Sequence, residues 1–450
     1  MTKWRRAPAL VTTLLLLSQG FAAQAQTNAQ AQTNAQAQNN ALASDKTKAD
    51  GKAAAKADGK AAAKKEVATV EETPSTYVVE KVPPELTRPA AGYLYLIPVV
   101  IIRYLPSTDG VNLDQDATKL PYTLDAMLDK IDLMNKQVKF SLEEGSRYHG
   151  YKDPTAKPSL GYKVVSLITV YERLPPFEPE KGGIPHADHN QILKRIGARD
   201  MVEKQGVKEF WLWGYHTDAL MPVESDMSSP ATGDVSNSAR RNDDMPIFDR
   251  TYILYNYNYE RTVAEAVHNH GHQDEIQLLH IAQKQDGNPN LIHDKFLAPG
   301  RCGWVHMPPN TAKDYDYLNK TPMESDIEDW TPDGSGNKTM VSADTWGTLI
   351  YDWPEGREPV QKIEAQFYIY WRQNVPGRNN SIRYNDGYLT NWWHFVGDWD
   401  NAIKNGVGLH SPKLAGDDPV VAPVATPVEL PKTIQAPQAK LPQAKLAGAN

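Results

Sequence analysis

The chain has 450 residues, with 55 acidic side chains against 48 lysines and arginines, a formal charge of −7 and one cysteine. That balance argues against nucleic acid as a partner, and a single cysteine excludes an intrachain disulfide. Seven of the lysines lie between Asp45 and Lys65, in a stretch without an apolar face, so the part able to fold is more acidic still.

Met1-Thr-Lys-Trp-Arg-Arg, the apolar run Ala7 to Leu17 and Ala23-Gln-Ala25 have the three parts of a secretory signal peptide over residues 1–25. The expectation is an exported protein, periplasmic or extracellular. The run is shorter than the roughly 20 residues that span a bilayer, and no later uncharged window approaches that length, so no transmembrane segment is expected. Residues 26–71 repeat Thr-Asn-Ala-Gln-Ala-Gln at 27 and 33 and Lys-Ala-Asp-Gly-Lys-Ala-Ala-Ala at 48 and 56. Neither repeat buries enough surface to offset backbone entropy, which predicts a disordered tether. A Pro/Ala-rich disordered tail is expected over residues 406–450, leaving one globular domain over 72–405.

Within that domain Tyr93 to Tyr104 and Tyr162 to Tyr171 are β-branched and aromatic runs of strand type. Leu124 to Leu142 has helical spacing. A helix from His189 to Lys204 and a strand from Val207 to Gly214 follow, then a short strand from Thr251 and a helix over 261–280. Beyond Arg301 only Val360 to Gln373 looks regular. Strands alternating with helices predict an α/β fold, a single large layered domain with a mixed sheet.

The helix over 261–280 holds four of the chain's twelve histidines. At 100° per residue Glu265, His268, His272 and Glu275 share an arc of about 80°, while His270 points to nearly the opposite side. Histidines at i and i+4 can direct nitrogens at one ion, so His268 and His272 are candidate metal ligands with Glu275. His306, in Gly303-Trp-Val-His-Met-Pro-Pro-Asn310, is the candidate third histidine; His216, His186 and His189 are others. Glu265, Glu224 and Asp314 are the candidate catalytic carboxylates, with Asp226 and Asp316 also near enough in type to be considered. The zinc-protease motif HExxH is absent, since Asn269 stands where its glutamate would be. The bland alternative is a solvated polar helix, weakened by Gly271 by about 1 kcal/mol relative to alanine.

Other chemistry is thinner. Cys302 beside His306 reads as a nucleophile or as a small buried hydrophobe. The acidic stretch from Asp326 does not match calcium-loop spacing. Many tryptophans lie near Asn, Asp or Gln, and Asn391-Trp-Trp-His394 with Asp398-Trp-Asp400 is either a sugar-stacking surface or an aromatic plug.

Glu224-Ser-Asp-Met, Asn258-Tyr-Glu-Arg, Gly271-His-Gln-Asp-Glu, Pro308-Pro-Asn, Asp314-Tyr-Asp and Asn391-Trp-Trp, in that order, resemble a group of secreted microbial proteins to which no activity is attached. The resemblance implies one large domain over about residues 75–405 and no mechanism. Together these readings predict an exported metal-dependent hydrolase acting on an extracellular polymer, a glycan or a peptide, or on its fragments. Its cofactor would be a divalent metal, zinc first because of the histidines. The alternative is a non-catalytic glycan- or envelope-binding protein.

Overall fold

The computed structural model describes residues 77–177, 185–217, 220–221, 223–238, 245–354 and 359–412. The expected signal peptide, the 26–71 repeats and the tail beyond Pro412 lie outside the described residues. Six strands form the main sheet: β1 (Tyr77–Glu80), β2 (Tyr95–Tyr104), β3 (Leu160–Val170), β4 (Glu209–Gly214), β5 (Ser225–Ser228) and β6 (Tyr252–Asn258). Their order is β1-β3-β2-β4-β6-β5, with β3, β2, β4 and β6 parallel. β1 and β5 close the two edges antiparallel, so the protein is α/β with a mixed sheet.

The central strands show why. β2 is buried without interruption from Val99 to Tyr104, the signature of a parallel strand covered on both faces. Pro98 is tolerated in it because pairing with β4 begins only at Val99, where the ladder with β3 also shifts register. Between β2 and β3 runs α1 (Leu124–Gly145), whose first turn is capped by the Thr123 hydroxyl accepting the Ala126 N–H. The single helix expected from His189 is two, α2 (His189–Arg195) and α3 (Ala198–Gln205). Gly197 at φ +69° breaks it, a backbone conformation glycine adopts at little cost.

After β6 the chain enters α4 (Val263–Lys284), which packs with α1 and with α5 (Pro359–Gln373). α4 lacks a clean apolar stripe because more than one side of it is covered, and His268, His270, Gln273 and Asp274 are buried along with Val267 and Ile281. The 261–280 segment is therefore helical as expected, and it is not a solvated surface helix.

The tryptophans of Asn391-Trp-Trp are interior. Trp392 and Trp393 are 0% and 1% exposed, and Trp392 donates its indole N–H to the Leu409 carbonyl at 3.1 Å. Phe296 and Trp330 pack edge-on against Trp392. Of the two readings of this pair, burial supports the aromatic plug, since a buried ring offers no face to a glycan. Leu409 is itself buried, and His410–Ser411 pairs with the strand Gly387–Leu389, so ordered structure continues past Asn405. Among the described residues no helix is long and apolar enough to cross a membrane.

Candidate metal centre

His268 and His272 lie one turn apart on α4, and the loop from Gly303 to Pro309 brings His306 to them. One ring nitrogen from each of the three lies within 4.8 Å of the others. Two glycines make this approach possible. A Cβ on Gly271 would sit 2.7 Å from Val305 Cγ2, so glycine is what lets the loop lie against the helix. Gly303 has φ +67°, and a Cβ there would meet the Met307 carbonyl oxygen. The loop is then pinned by hydrogen bonds from Tyr317 Oη to the Val305 carbonyl at 2.8 Å and from Trp371 Nε1 to the Gly303 carbonyl at 3.3 Å.

The outer ring nitrogens of His268 and His272 are occupied by supporting groups. His268 Nδ1 is 2.8 Å from Tyr368 Oη, and that hydroxyl donates to Glu364 Oε1. Tyr368 therefore accepts from Nδ1–H, which leaves the lone pair of His268 on Nε2. His272 Nδ1 is 3.1 Å from Glu275 Oε2, and its Nε2 faces His306 Nε2 at 2.8 Å. Two imidazole nitrogens so placed share one proton or together hold a cation. Hydrogen-bonded outer nitrogens are what orients histidines at metal sites.

Glu275, expected among the ligands, takes a supporting position instead. Oε2 holds His272 and Oε1 accepts the Val305 N–H at 2.8 Å, so one carboxylate ties the helix histidine to the loop that carries His306. The cause is its i+3 offset from His272, which sets it against the outer nitrogen of that ring.

Of the expected catalytic carboxylates, Glu224 comes nearest. Its Oε1 is 3.9 Å from His268 Nε2, while Oε2 accepts from Asn237 Nδ2 at 2.6 Å. Glu265 lies a turn before His268 and pairs with Arg261 at 2.8 Å. Burial pushes its carboxyl up to about 7, opposed by Arg261 and assisted by Glu224 and Glu364. Asp314 is exposed, and no hydrogen bond or ion pair among the described residues joins it to the three histidines. Asp316 accepts from Thr311 Oγ1 at 3.3 Å.

Burial, with the neighbouring His272, His306 and Arg261, holds His268 well below its ordinary range. Burial and His272 bring His306 down to about 3. At His272 burial also pulls downward, but the Glu275 hydrogen bond and the charges of Glu224 and Glu275 outweigh it and the net direction is upward. His268 and His306 are accordingly neutral at pH 7, the form a metal requires.

The other candidates lie elsewhere. His270 faces the sheet, stacked on Tyr255 at 3.6 Å and hydrogen-bonded to Tyr257 Oη at 2.6 Å. His189 and Asp226 form a buried pair at 2.9 Å, with Asn256 on the other ring nitrogen. His186, His189 and His216 line a crevice beside Gly214 that has room for little more than a water molecule. Burial and Arg261 bring His216 down to about 4. Cys302 is fully buried and its thiol is held well above the usual range by that burial, the inert state of the residue. Asp326 pairs with Arg301, and Asp329 accepts from Asn337, so protein donors occupy the carboxylates of that acidic stretch. Spacing alone missed Tyr368, Asn237 and Tyr315; the last was in view only as the middle of Asp314-Tyr-Asp.

The close approach at Gly271 has a measurable consequence. Gly271→Ala raises helix propensity by about 1 kcal/mol, yet its methyl group displaces Val305, a β-branched side chain with little rotamer freedom. Metal affinity should fall by about 10–100-fold, as it does when support around a ligand is disturbed, while the melting temperature of metal-free protein falls little. Unchanged affinity in a metal titration would show that His306 does not need this contact.

In comparisons with protein-family models, curated proteins and solved structures, the chain matches none.

Proposed function

We propose that the protein is a metal-dependent hydrolase whose centre is a divalent cation held by His268, His272 and His306. The observation that carries this reading is the convergence of three histidine nitrogens within 4.8 Å of one another from two separate elements. Three protein ligands with a fourth position left to solvent or substrate are typical of catalytic zinc sites, whereas structural sites are closed by four. When bound, such an ion polarises a carbonyl or phosphoryl oxygen and lowers the pKa of water to about 7.

The chain's own groups divide the remaining work. Tyr368 and Glu275 hold the outer nitrogens of His268 and His272. Glu224, oriented by Asn237, supplies a carboxylate beside His268 able to take up and return a proton. Glu265 and Arg261 form the next layer at this end of α4. Zinc is the assignment because imidazole suits it and the proposed hydrolysis needs no redox chemistry. The signal-type N-terminus supports an exported enzyme and hence an extracellular polymer or its fragments as substrate. Burial of Trp392 and Trp393 removes these two rings from the glycan-binding alternative, which is left with partly exposed tryptophans such as Trp304 and Trp353.

Elemental analysis of untagged protein tests the centre. About one equivalent of zinc or another transition metal per chain supports it and justifies a hydrolase screen. No bound metal, even after reconstitution with zinc, cobalt or copper, ends the hydrolase reading.

A further inference from the structure

Tyr315 is the one tyrosine of this neighbourhood that is both exposed and turned onto the centre. Its side chain is 46% exposed, yet its hydroxyl lies 3.0 Å from His306 Nε2, the nitrogen that also faces His272. The ring centroids of Tyr315 and His306 are 4.4 Å apart. The backbone is clamped to the same histidine, with the Tyr315 N–H donating to the His306 carbonyl at 2.7 Å. Tyr315 also has φ +61°, a left-handed conformation that a bulky residue adopts only where its surroundings impose it. Strain of this kind, a two-point clamp and a hydroxyl set against a ligand nitrogen all point at one position.

We propose that the Tyr315 hydroxyl occupies the fourth coordination position of the centre in the resting protein, and that an incoming ligand displaces it. The inference rests on the three-histidine metal reading. Donor atoms on a tetrahedral ion with bonds of about 2.0–2.1 Å lie roughly 3.3 Å from one another. The Tyr315 oxygen already stands at close to that spacing from His306 Nε2. Glu224 Oε1 is 3.9 Å from His268 Nε2, and its carboxylate is held by Asn237, which leaves it beside the centre as the proton carrier. The exposed ring puts Tyr315 on the solvent side, where a substrate has to enter. His268 is buried on the inner side, against Tyr368. The hydroxyl is thus a placeholder on the open face, and its departure uncovers the position at which a substrate carbonyl or phosphoryl oxygen binds.

The test uses the full chain loaded with cobalt(II), whose visible bands report the donor set, and azide as the entering ligand. Tyr315→Phe should change the cobalt spectrum before azide is added and should bind azide about tenfold more tightly, because nothing has to leave. Tyr315→Gly suits the left-handed backbone and removes the hydroxyl together with the ring; it should show the same gain. A gain in Tyr315→Gly alone would assign the effect to the ring as a cover and overturn the hydroxyl assignment. Wild-type spectrum and azide affinity in both variants, with cobalt bound, would overturn it as well and leave the three-histidine centre standing. Failure of wild-type protein to bind cobalt would overturn both.

Discussion

Zinc supplied at about a hundred times its dissociation constant should stabilise the wild-type protein by about 2.7 kcal/mol and leave His268→Ala/His272→Ala unmoved. A cation bound only by the folded state shifts unfolding by mass action, and the double variant keeps one of the three candidate ligands, His306. Its metal content should fall from about one equivalent to none. The metal-free variant should still fold, at some cost. Tyr368 loses the partner at His268 Nδ1, and Glu275 loses His272 but keeps the Val305 N–H. Leaving such groups unsatisfied costs about 1–3 kcal/mol each when they are buried. Denaturant unfolding with and without zinc separates the two effects, because the ligand term appears only with zinc present. Equal zinc stabilisation of both proteins would move the ion to another part of the chain.

Long buried strands and the α1 helix were legible because each has one kind of neighbour on a face and therefore one period. β1 and β5 were not: each is four residues long at a sheet edge, too short to show alternation. α4 was legible as a helix but not as an interior one, since the burial of its polar residues depends on partners remote in sequence. The helical wheel correctly set His268 and His272 on one side and His270 on the other. It could not say which nitrogen of each ring would be free, and for that reason Glu275 looked like a ligand. Nor can spacing show that His306 reaches the helix, because that contact depends on a missing Cβ at Gly271 and on the shape of the Gly303 turn. Tryptophan beside asparagine suits a sugar surface and a hydrogen-bonded core alike. Closure of the chain over Trp392 decided between them.

Arg372→Met should destabilise the protein by about 3–5 kcal/mol, the usual cost of leaving one member of a buried ion pair alone. Arg372 and Asp274 are 1% and 2% exposed and bonded to one another, and the guanidinium also lies 4.5 Å from the centre of the Trp393 ring. Burial already pushes Asp274 up to about 7, with Arg372 acting against that rise and Glu275 adding to it. Without the guanidinium the carboxyl rises further. A raised carboxyl in the folded state contributes stability that is full below its unfolded pKa and is lost as pH rises through its folded pKa. The variant should therefore be closest to wild type near pH 5 and furthest from it near pH 8. Adding Asp274→Leu should recover most of the loss, because an apolar pair of similar volume leaves no charge in the interior. Gln273 and Glu275 flank Asp274 but face other partners, so the zinc content of Arg372→Met should stay near wild type if the protein is folded. A cost below about 1 kcal/mol at both pH values would mean that water reaches Asp274, contrary to its burial beside Arg372 of α5. Loss of zinc with folding intact would instead mean that this pair positions α4 for the centre, which would couple the buried charge to the histidines across the width of one helix.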